Sequence, residues 1–435
     1  MKNEINTQPM PGFMELLPNE QIAFNDMLEK IREVYKVYGF RPIETPILER
    51  SEVLLAKGGG DTDKEIYRFK KGNRDIAMRF DLTVPLARYI VQYQNDLVFP
   101  FKVGNIGKAY RGEKPQAGRF REFYQCDTDI IGRDELDISF DAEIVSLISA
   151  LMTKLGFKEY KIKINNRKVM NGFFRSLDIE NPSDILREID KLEKSDKKSV
   201  IEELKKLDLD DVKIEKILEF IETKEDVISK LKNLDINDED FWQGVEELEF
   251  VINRVKEIGV KEANFEIDLT ISRGLDYYTG TVYETFLKKY PEFGSICSGG
   301  RYDNLASYYT KNKFPGVGCS IGLTRLFDCL IKKRNIKLTQ KTSTEILVIA
   351  MEGYDGYGLN IGNTIRKLSI NTEVVFGLKG SFKYADRLDI PYVIITGEQE
   401  VEEDKYTFRN MKSGDQNMLT KEELLKNIQE IFKPE

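Results

Sequence analysis

The 435-residue chain contains no histidine. That absence removes whole classes of chemistry: no Ser-His-Asp or Cys-His relay can operate, no H-E-x-x-H zinc site can form and no Cys₂His₂ finger can fold. A general base here is a carboxylate, a lysine, a tyrosine or the substrate itself. Cysteine is scarce as well. The four are Cys126, Cys297, Cys319 and Cys329, with no C-x-x-C pair among them, which argues against zinc ribbons, thioredoxin-like redox sites and a disulfide framework. Long apolar runs are missing: the longest, such as Ile346 to Met351, are strand-sized and far short of a bilayer span. Met1 to Pro11 has no apolar segment of the kind a secretory signal needs. The expectation is a reduced, cytoplasmic chain without membrane contact.

What is present is core material in quantity. Apolar residues make up 41% and charged residues 32%, a globular composition, and the length predicts two or three domains. Lys and Arg total 66 against 74 Asp and Glu, a formal charge of −8 that excludes a general basic coat for nucleic acid. A local basic patch remains open, because the field that steers a polyanion depends on where charges sit.

Apolar residues Phe24, Met27, Leu28, Ile31, Val34, Tyr35 and Tyr38 recur at helical spacing, with Asn19 as a cap and Gly39 as a terminator. The strand-like stretch Gly39 to Pro46 carries two prolines and belongs at an edge or an interface. From Glu65 to Asp129 the pattern is short β-segments (Ile66–Phe69, Ile76–Phe80, Phe101–Tyr110 and Phe120–Ile130) around a helical Thr83 to Gln92, which predicts an antiparallel sheet. A helix with Ile144, Val145, Ile148, Leu151, Met152 and Leu155 on one stripe follows, ended by Gly156. Between Met170 and Ile258 glycine almost vanishes and Lys, Glu, Asp and Leu dominate in a helical pattern. Its charge runs are solvated helix faces or, alternatively, contacts to a large partner. The glycine-rich β-pattern returns from Phe265 to Leu330, so the helical block is an insertion. Lys332 to Ser343 suits a linker, and strands at Ile346–Met351, Val374–Phe376 and Tyr392–Thr396 alternate with helices in a small α/β domain.

Four segments carry chemistry. Tyr110 to Phe123 is a hairpin with Arg111 and Arg121 near the inner ends of its strands. Guanidiniums on one sheet face suit a polyphosphate, although arginines on a hairpin also serve as surface ion pairs. No Gly-x-x-x-x-Gly-Lys loop exists, so this is not a P-loop protein. Ser272 to Gly280 sets an arginine beside two tyrosines, an arrangement costly as plain core. Ser298-Gly299-Gly300-Arg301-Tyr302-Asp303 and Gly316 to Gly322 supply glycines where a ligand or a backbone can approach closely, and Arg325 opens an apolar helix.

Together these segments resemble the class II histidyl-tRNA synthetases. Gly39 to Glu49 is similar to that family's motif 1, with Pro46 at its dimer interface, Tyr110 to Phe123 to motif 2, and Gly316 to Leu326 to motif 3. The Arg273 to Tyr278 run (Arg-Gly-Leu-Asp-Tyr-Tyr) resembles the histidine-specific signature. Ser298 to Asp303 resembles the second, with Ser298 where glycine is usual, and Lys379 to Pro391 resembles part of the anticodon-binding domain. The resemblance implies an α+β fold. A class II antiparallel-sheet catalytic domain (1–169 and 259–331) would be interrupted by a helical insertion (170–258) and joined by a linker (332–343) to a small C-terminal α/β anticodon-binding domain (344–435).

It also implies residue roles. Histidine's α-ammonium falls to Asp81, Thr83 and Gln125, with Leu82 also in the histidine-binding set; many bacterial members carry glutamate at the position of Asp81. The imidazole falls to Asp129 and Tyr278, with Tyr277 beside them. Arg111 and Arg273 are the catalytic pair around the α-phosphate and the histidine carboxylate. Arg325 would hold the γ-phosphate, Phe123 would stack on adenine, and Glu113 and Arg119 would complete the ATP site. Mg²⁺ would arrive with ATP and require no cage of protein side chains. Gln116, in the loop from Lys114 to Arg119, would meet the tRNA acceptor end. The implied partners are ATP, L-histidine, a histidine-specific tRNA and a second copy of the chain. Two other functions share the fold: a catalytically silent regulatory subunit of ATP phosphoribosyltransferase, and an uncharged-tRNA sensor. The retained Arg111, Arg273 and Arg325 and the C-terminal domain argue against the first, and the absence of a kinase signature argues against the second. Set beside this resemblance, the missing histidine gives a chain whose own synthesis consumes no charged histidine tRNA and which could continue to be made during histidine shortage; substitutions accumulated without selection, or deliberate removal of histidines, account for the same composition.

Overall fold

The computed structural model of the chain describes residues 5–56, 65–114, 118–179, 182–189, 197–271, 278–333, 336, 338, 340–377 and 379–432. These form two compact units, one of Met1–Glu15 with Met27–Asn335 and one of Leu16–Asp26 with Ile336–Glu435. The first long helix, Pro18–Val37, begins one residue before the expected Asn19 cap. Proline tolerates the first helical position because the N–H it lacks would have no partner there, and Glu20 Oε2 accepts from the Leu17 N–H at 2.9 Å. Gly39 follows the helix at φ +76°, the left-handed conformation that ends helices.

In the first unit the strands run β1 (Arg41–Ile43), β2 (Leu48–Arg50), β3 (Arg68–Lys71), β4 (Arg74–Met78), β5 (Phe101–Tyr110), β6 (Glu122–Ile131), β7 (Tyr160–Asn166), β8 (Phe265–Ile267), β9 (Thr281–Leu287), β10 (Cys297–Tyr302) and β11 (Gly316–Gly322). Eight of them form one sheet in the order β1-β5-β6-β11-β10-β9-β7-β8. Its interior pairings are antiparallel, as the short Gly-broken segments predict, whereas each edge strand, β1 and β8, pairs parallel with its neighbour. Proline-bearing β1 lies at an edge, where a missing ladder donor is tolerated. The β-segments near residues 66–80 do not join this sheet. With β2 they form a separate three-stranded one, β2-β4-β3.

Alternation sorts the large sheet's side chains to two faces. On one, Phe101, Val103 and Ile131 pack with Leu86 and Ile90 of the helix Thr83–Tyr93. On the other lies the helix Ser139–Lys154, whose Asp141 is fully buried. Arg301 of β10 reaches it: Nη2 donates to Asp141 Oδ1 at 2.6 Å and to the Asp137 carbonyl at 3.0 Å, and Nη1 donates to the Leu136 carbonyl at 3.1 Å. Arg301 thus faces away from the glycine-rich side of its own strand. Burial pushes the Asp141 carboxyl up despite this partner. Loss of either member would strand a desolvated charge, a change that typically costs about 3–5 kcal/mol.

The interval 170–258 is helical throughout its described part, and Arg167–Ser176 and Glu239–Glu257 pack together. Gly244 makes their approach possible, since a Cβ there would lie 2.7 Å from the Val169 nitrogen.

The second unit holds a five-stranded sheet in the order β13-β12-β14-β15-β16, with β12 (Ile346–Ala350), β13 (Thr372–Phe376), β14 (Tyr392–Thr396), β15 (Lys405–Asn410) and β16 (Gln416–Thr420). Central β12 is apolar at every position because both its faces are covered, Val348 by Ile361, Ile365 and Ile428, Ile349 by Ala385 and Ile390. Each such side chain contributes about 1.5–3 kcal/mol when fully buried. The antiparallel pair β15–β16, joined through Gly414 at φ +81°, extends the three expected strands.

Candidate active site

Strand β6 makes the floor of the site. Phe123, Gln125, Asp127 and Asp129 alternate with Tyr124, Cys126 and Thr128, so the first set shares one face. On β11 the residues in register with Gln125, Asp127 and Asp129 are Gly322, Ser320 and Gly318, and on β10 those beside Ser320 and Gly318 are Ser298 and Gly300. The glycines are required by close approach. A Cβ on Gly318 would lie 2.4 Å from Asp129 Oδ1, and one on Gly300 would lie 2.9 Å from the Tyr278 ring. Their absent side chains open a cavity of about 480 Å³.

Asp81, Thr83, Arg111, Glu113, Arg119, Phe123, Gln125, Asp129, Tyr278 and Arg325 all line this one cavity. Leu82 does not: it is buried in the core behind them. Arg273, Tyr277 and Gln116 lie outside the described residues. Arg121 is not on the wall either. Its guanidinium donates to the carbonyls of Glu113 and Pro11, so only one of the two hairpin arginines faces the site. Lining residues to which sequence reasoning gave no role include Asp127, Ser320, Tyr302 and Glu65. The signal for the first was the period-two run Gln125-Cys126-Asp127-Thr128-Asp129, which gives three polar side chains one face. For Tyr302 it was the same alternation, which turns Arg301 away.

The wall is electrically divided. Asp81, Asp127 and Asp129 stand at one end. Asp81 Oδ1 accepts from the Val84 N–H at 3.0 Å, satisfying an amide in the first turn of the helix Thr83–Tyr93. Asp129 Oδ1 accepts from Tyr302 O–H at 2.8 Å. Burial pushes the Asp129 carboxyl up to about 7; the Tyr302 hydrogen bond opposes this and the charge of Asp81 adds to it. Asp127 is likewise raised, first by burial and then by its carboxylate neighbours, against the Ser320 hydrogen bond and Arg111. Beside them Arg111 donates from Nε to the carbonyl of Phe80, the residue before Asp81, at 3.1 Å, and its guanidinium lies 5.1 Å from the Phe123 ring centroid. Arg119 pairs with Glu113 at 3.1 Å, and Arg325 Nη2 donates to the Phe293 carbonyl at 2.6 Å. A cavity with carboxylates at one end and guanidiniums at the other suits a small cation lying beside a polyanion.

Comparison with known proteins agrees with this geometry. The family model described as histidyl-tRNA synthetase matches residues 12–326, and that described as an anticodon binding domain matches residues 355–431. The chain is similar to histidine–tRNA ligase of Clostridium tetani, 51% identical over 434 residues and covering 98% of this chain and 99% of that one. Among solved structures it is similar to a histidyl-tRNA synthetase from Nostoc, 38% identical with a TM-score of 0.87, covering 99% of this chain and all of that one. A Bacillus halodurans chain described as an ATP phosphoribosyltransferase regulatory subunit/histidyl-tRNA synthetase shares the fold alone, at 19% identity and a TM-score of 0.75 over 91% of this chain and all of that one.

The Asp129 shift has a consequence for stability. Unfolded, its carboxyl titrates near pH 4, whereas in the fold it keeps its proton until about pH 7. Between these values the folded state binds the extra proton, so this group's contribution to stability falls as pH rises. Asp129→Asn removes the titration while still accepting from Tyr302. The melting temperature of the ligand-free variant relative to wild type should therefore climb steadily from pH 5 to pH 7. A constant difference across that range would show that Asp129 is not the raised group.

Proposed function

The chain belongs to the histidyl-tRNA synthetase family, and from that premise we propose how the two ends of the cavity divide the work. The reaction is that of a histidine–tRNA ligase. L-Histidine and ATP give histidyl-adenylate and pyrophosphate, and the histidyl group then passes to the 3′-terminal adenosine of the histidine-specific tRNA. The regulatory-subunit alternative is not favoured, because the likeness to such a chain extends to fold only while the ligase relatives match nearly end to end.

The observation that carries the residue assignment is the polarity of the cavity. Histidine is read at the carboxylate end, its ring against Asp129 and Tyr278 with Tyr277 alongside. A neutral imidazole presents one donor and one acceptor, which a hydrogen-bonding pocket can match and an apolar analogue cannot. Its α-ammonium is read toward Asp81, Thr83 and Gln125, with Leu82 setting the turn that presents them. ATP is read at the arginine end, with Phe123 against adenine, Glu113 at the base, and Arg119 and Arg325 toward the phosphates.

In the first step a carboxylate oxygen of histidine forms a bond to the α-phosphorus while the bond from that phosphorus to the bridging oxygen of pyrophosphate breaks in line. No proton is removed, so a protein without imidazole loses nothing here. Catalysis is positioning and charge stabilisation. Arg111, fixed between the two ends by the Phe80 carbonyl, is placed to hold both the carboxylate and the α-phosphate, and Arg273 is assigned to the opposite side. Mg²⁺ would enter with ATP; the Glu65 carboxylate on this wall is an oxygen donor that would help to hold it, and the ion would supply neutralisation of the charge on the leaving pyrophosphate.

We assign 1–169 and 259–331 to catalysis, 170–258 to the helical insertion, 332–343 to the linker and 344–435 to the anticodon-binding domain. The break between the two compact units falls inside that linker. Gln116 is assigned to the acceptor end of the tRNA. The protein works in the cytoplasm, where its tRNA is charged; among the described residues no helix is long and apolar enough to cross a membrane. It acts as a homodimer. Edge strand β1 and the Pro46 segment lie beside Leu48, which is 48% exposed, and the neighbouring sheet exposes Phe69 at 44%. Sedimentation should give a dimer at assay concentrations, and a fully active monomer would refute the assignment.

Arg273 provides the sharper test. Replacing it with alanine should leave the KM for histidine in ATP–pyrophosphate exchange little changed. The rate should fall by about 10²–10³, the usual loss for one donor aimed at developing charge. Arg273→Lys should also be slow, because a point charge does not replace a planar fork. Near-normal exchange by Arg273→Ala would remove the residue from the mechanism.

A further inference from the structure

Strand β4 ends at Met78 and the helix Thr83–Tyr93 follows a short connector, Arg79-Phe80-Asp81-Leu82. The connector belongs to neither element, yet it carries parts of the site: the Phe80 carbonyl accepts from Arg111 Nε at 3.1 Å, and Asp81 lines the cavity. Its place depends on Arg79, whose side chain is 1% exposed and among the largest fully buried ones in the protein. Arg79 Nε donates to the Lys108 carbonyl on β5 at 2.7 Å. Its Nη1 donates to the Thr45 carbonyl and, at 3.3 Å, to the Thr45 hydroxyl. The main chain adds a bond from the Arg79 N–H to the Ile47 carbonyl and another from the Tyr110 N–H to the Arg79 carbonyl, each 2.9 Å. One residue thus fastens the connector to the segment 45–47 and to the end of β5, directly before Arg111. The strand leaves room for it, since a Cβ on Gly107 would lie 2.4 Å from Arg79 Nη2.

A buried cation is ordinarily paired with a carboxylate, because desolvating a lone charge is expensive. The hydrogen bonds that Arg79 makes among the described residues go instead to carbonyls and a hydroxyl. An apolar side chain of similar volume fills such a space at less cost, so packing alone does not account for a guanidinium here. What an apolar residue cannot do is join β5 and the Thr45 segment through one rigid planar fork. Arg79 does not line the cavity, so it acts on chemistry only through what it holds.

We propose that Arg79 is a positioning residue for adenylation, and that its fork sets the guanidinium of Arg111. Two routes carry the effect: the Phe80 carbonyl next to Arg79 in the chain, and β5 from Lys108 through Tyr110 to Arg111. The inference rests on the reading of Arg111 as the group that holds the histidine carboxylate and the α-phosphate. It adds a residue to which the motif resemblance gave no role.

Two substitutions disturb the fork from opposite sides. Arg79→Lys keeps the charge but loses the planar geometry that reaches Lys108 and Thr45 together. Gly107→Ala keeps Arg79 and crowds its Nη2. Each is made in the wild-type chain and in Arg111→Lys, and ATP–pyrophosphate exchange is measured below the melting transition of every variant. In the wild-type background kcat/KM for histidine should fall about 10- to 100-fold, the loss expected when a reacting group is misplaced. In the Arg111→Lys background the same substitutions should cost no more than about threefold, because the group they misplace is already gone. If Arg79→Lys does not fold, Gly107→Ala decides. Equal losses in both backgrounds, no loss in the wild-type background, or failure of both variants to fold would mark a purely structural residue and overturn the proposal. Near-normal exchange by Arg111→Lys alone would look different: it would remove the reading of Arg111, and the proposal would fall with it.

Discussion

Three carboxylates buried on one face of an antiparallel sheet impose the condition that the rest of this structure answers to. In a low-dielectric setting like charges cannot all stay ionised unless a cation joins them. Asp129 shows the effect, with its carboxyl pushed up to about 7 by burial and by Asp81. The sheet supplies the space by placing Gly318 and Gly300 beside these groups, and supplies partners through Tyr302 and Ser320. Under the proposed assignment histidine would bring the missing cation as its α-ammonium and ATP the anion that Arg111, Arg119 and Arg325 require, so that the two substrates would meet where Arg111 is anchored.

The lack of protein imidazole follows easily from that design. Attack of a carboxylate on a phosphorus needs alignment and charge stabilisation, with no base in the first step. Among the described residues of the site, burial pushes the carboxyl of Asp129 up to about 7 and raises that of Asp127 beside it, next to where the ring of the substrate would sit.

Much of this was legible from residues alone, for reasons that differ by element. Strands β5 and β6 declared themselves through regular alternation, and β12 through an unbroken apolar run that only a doubly covered strand can carry. The pair β15–β16 was hidden because Gln416–Thr420 lies at a sheet edge and Lys405–Asn410 carries polar residues at both ends, so neither gives a strong period-two signal. The helix at Pro18 started a residue early because a proline at the first helical position competed with asparagine as the boundary signal. In the site, resemblance located Asp129, Tyr278 and Arg111 but carried Leu82 along as a neighbour, although its side chain belongs to the core. It passed over Asp127, which the alternation of β6 places on the same face as Gln125 and Asp129. Pairings between strands far apart in sequence, such as Asp127 with Ser320 or Arg301 with Asp141, could not be read before the sheet order was known.

The central claim is that the divided cavity selects histidine and joins it to ATP. Pyrophosphate exchange into ATP, measured with each of the twenty amino acids in turn, tests it most directly. The account predicts strong exchange with L-histidine and only background with the others. Exchange driven as well by another amino acid, or none with histidine, would contradict it.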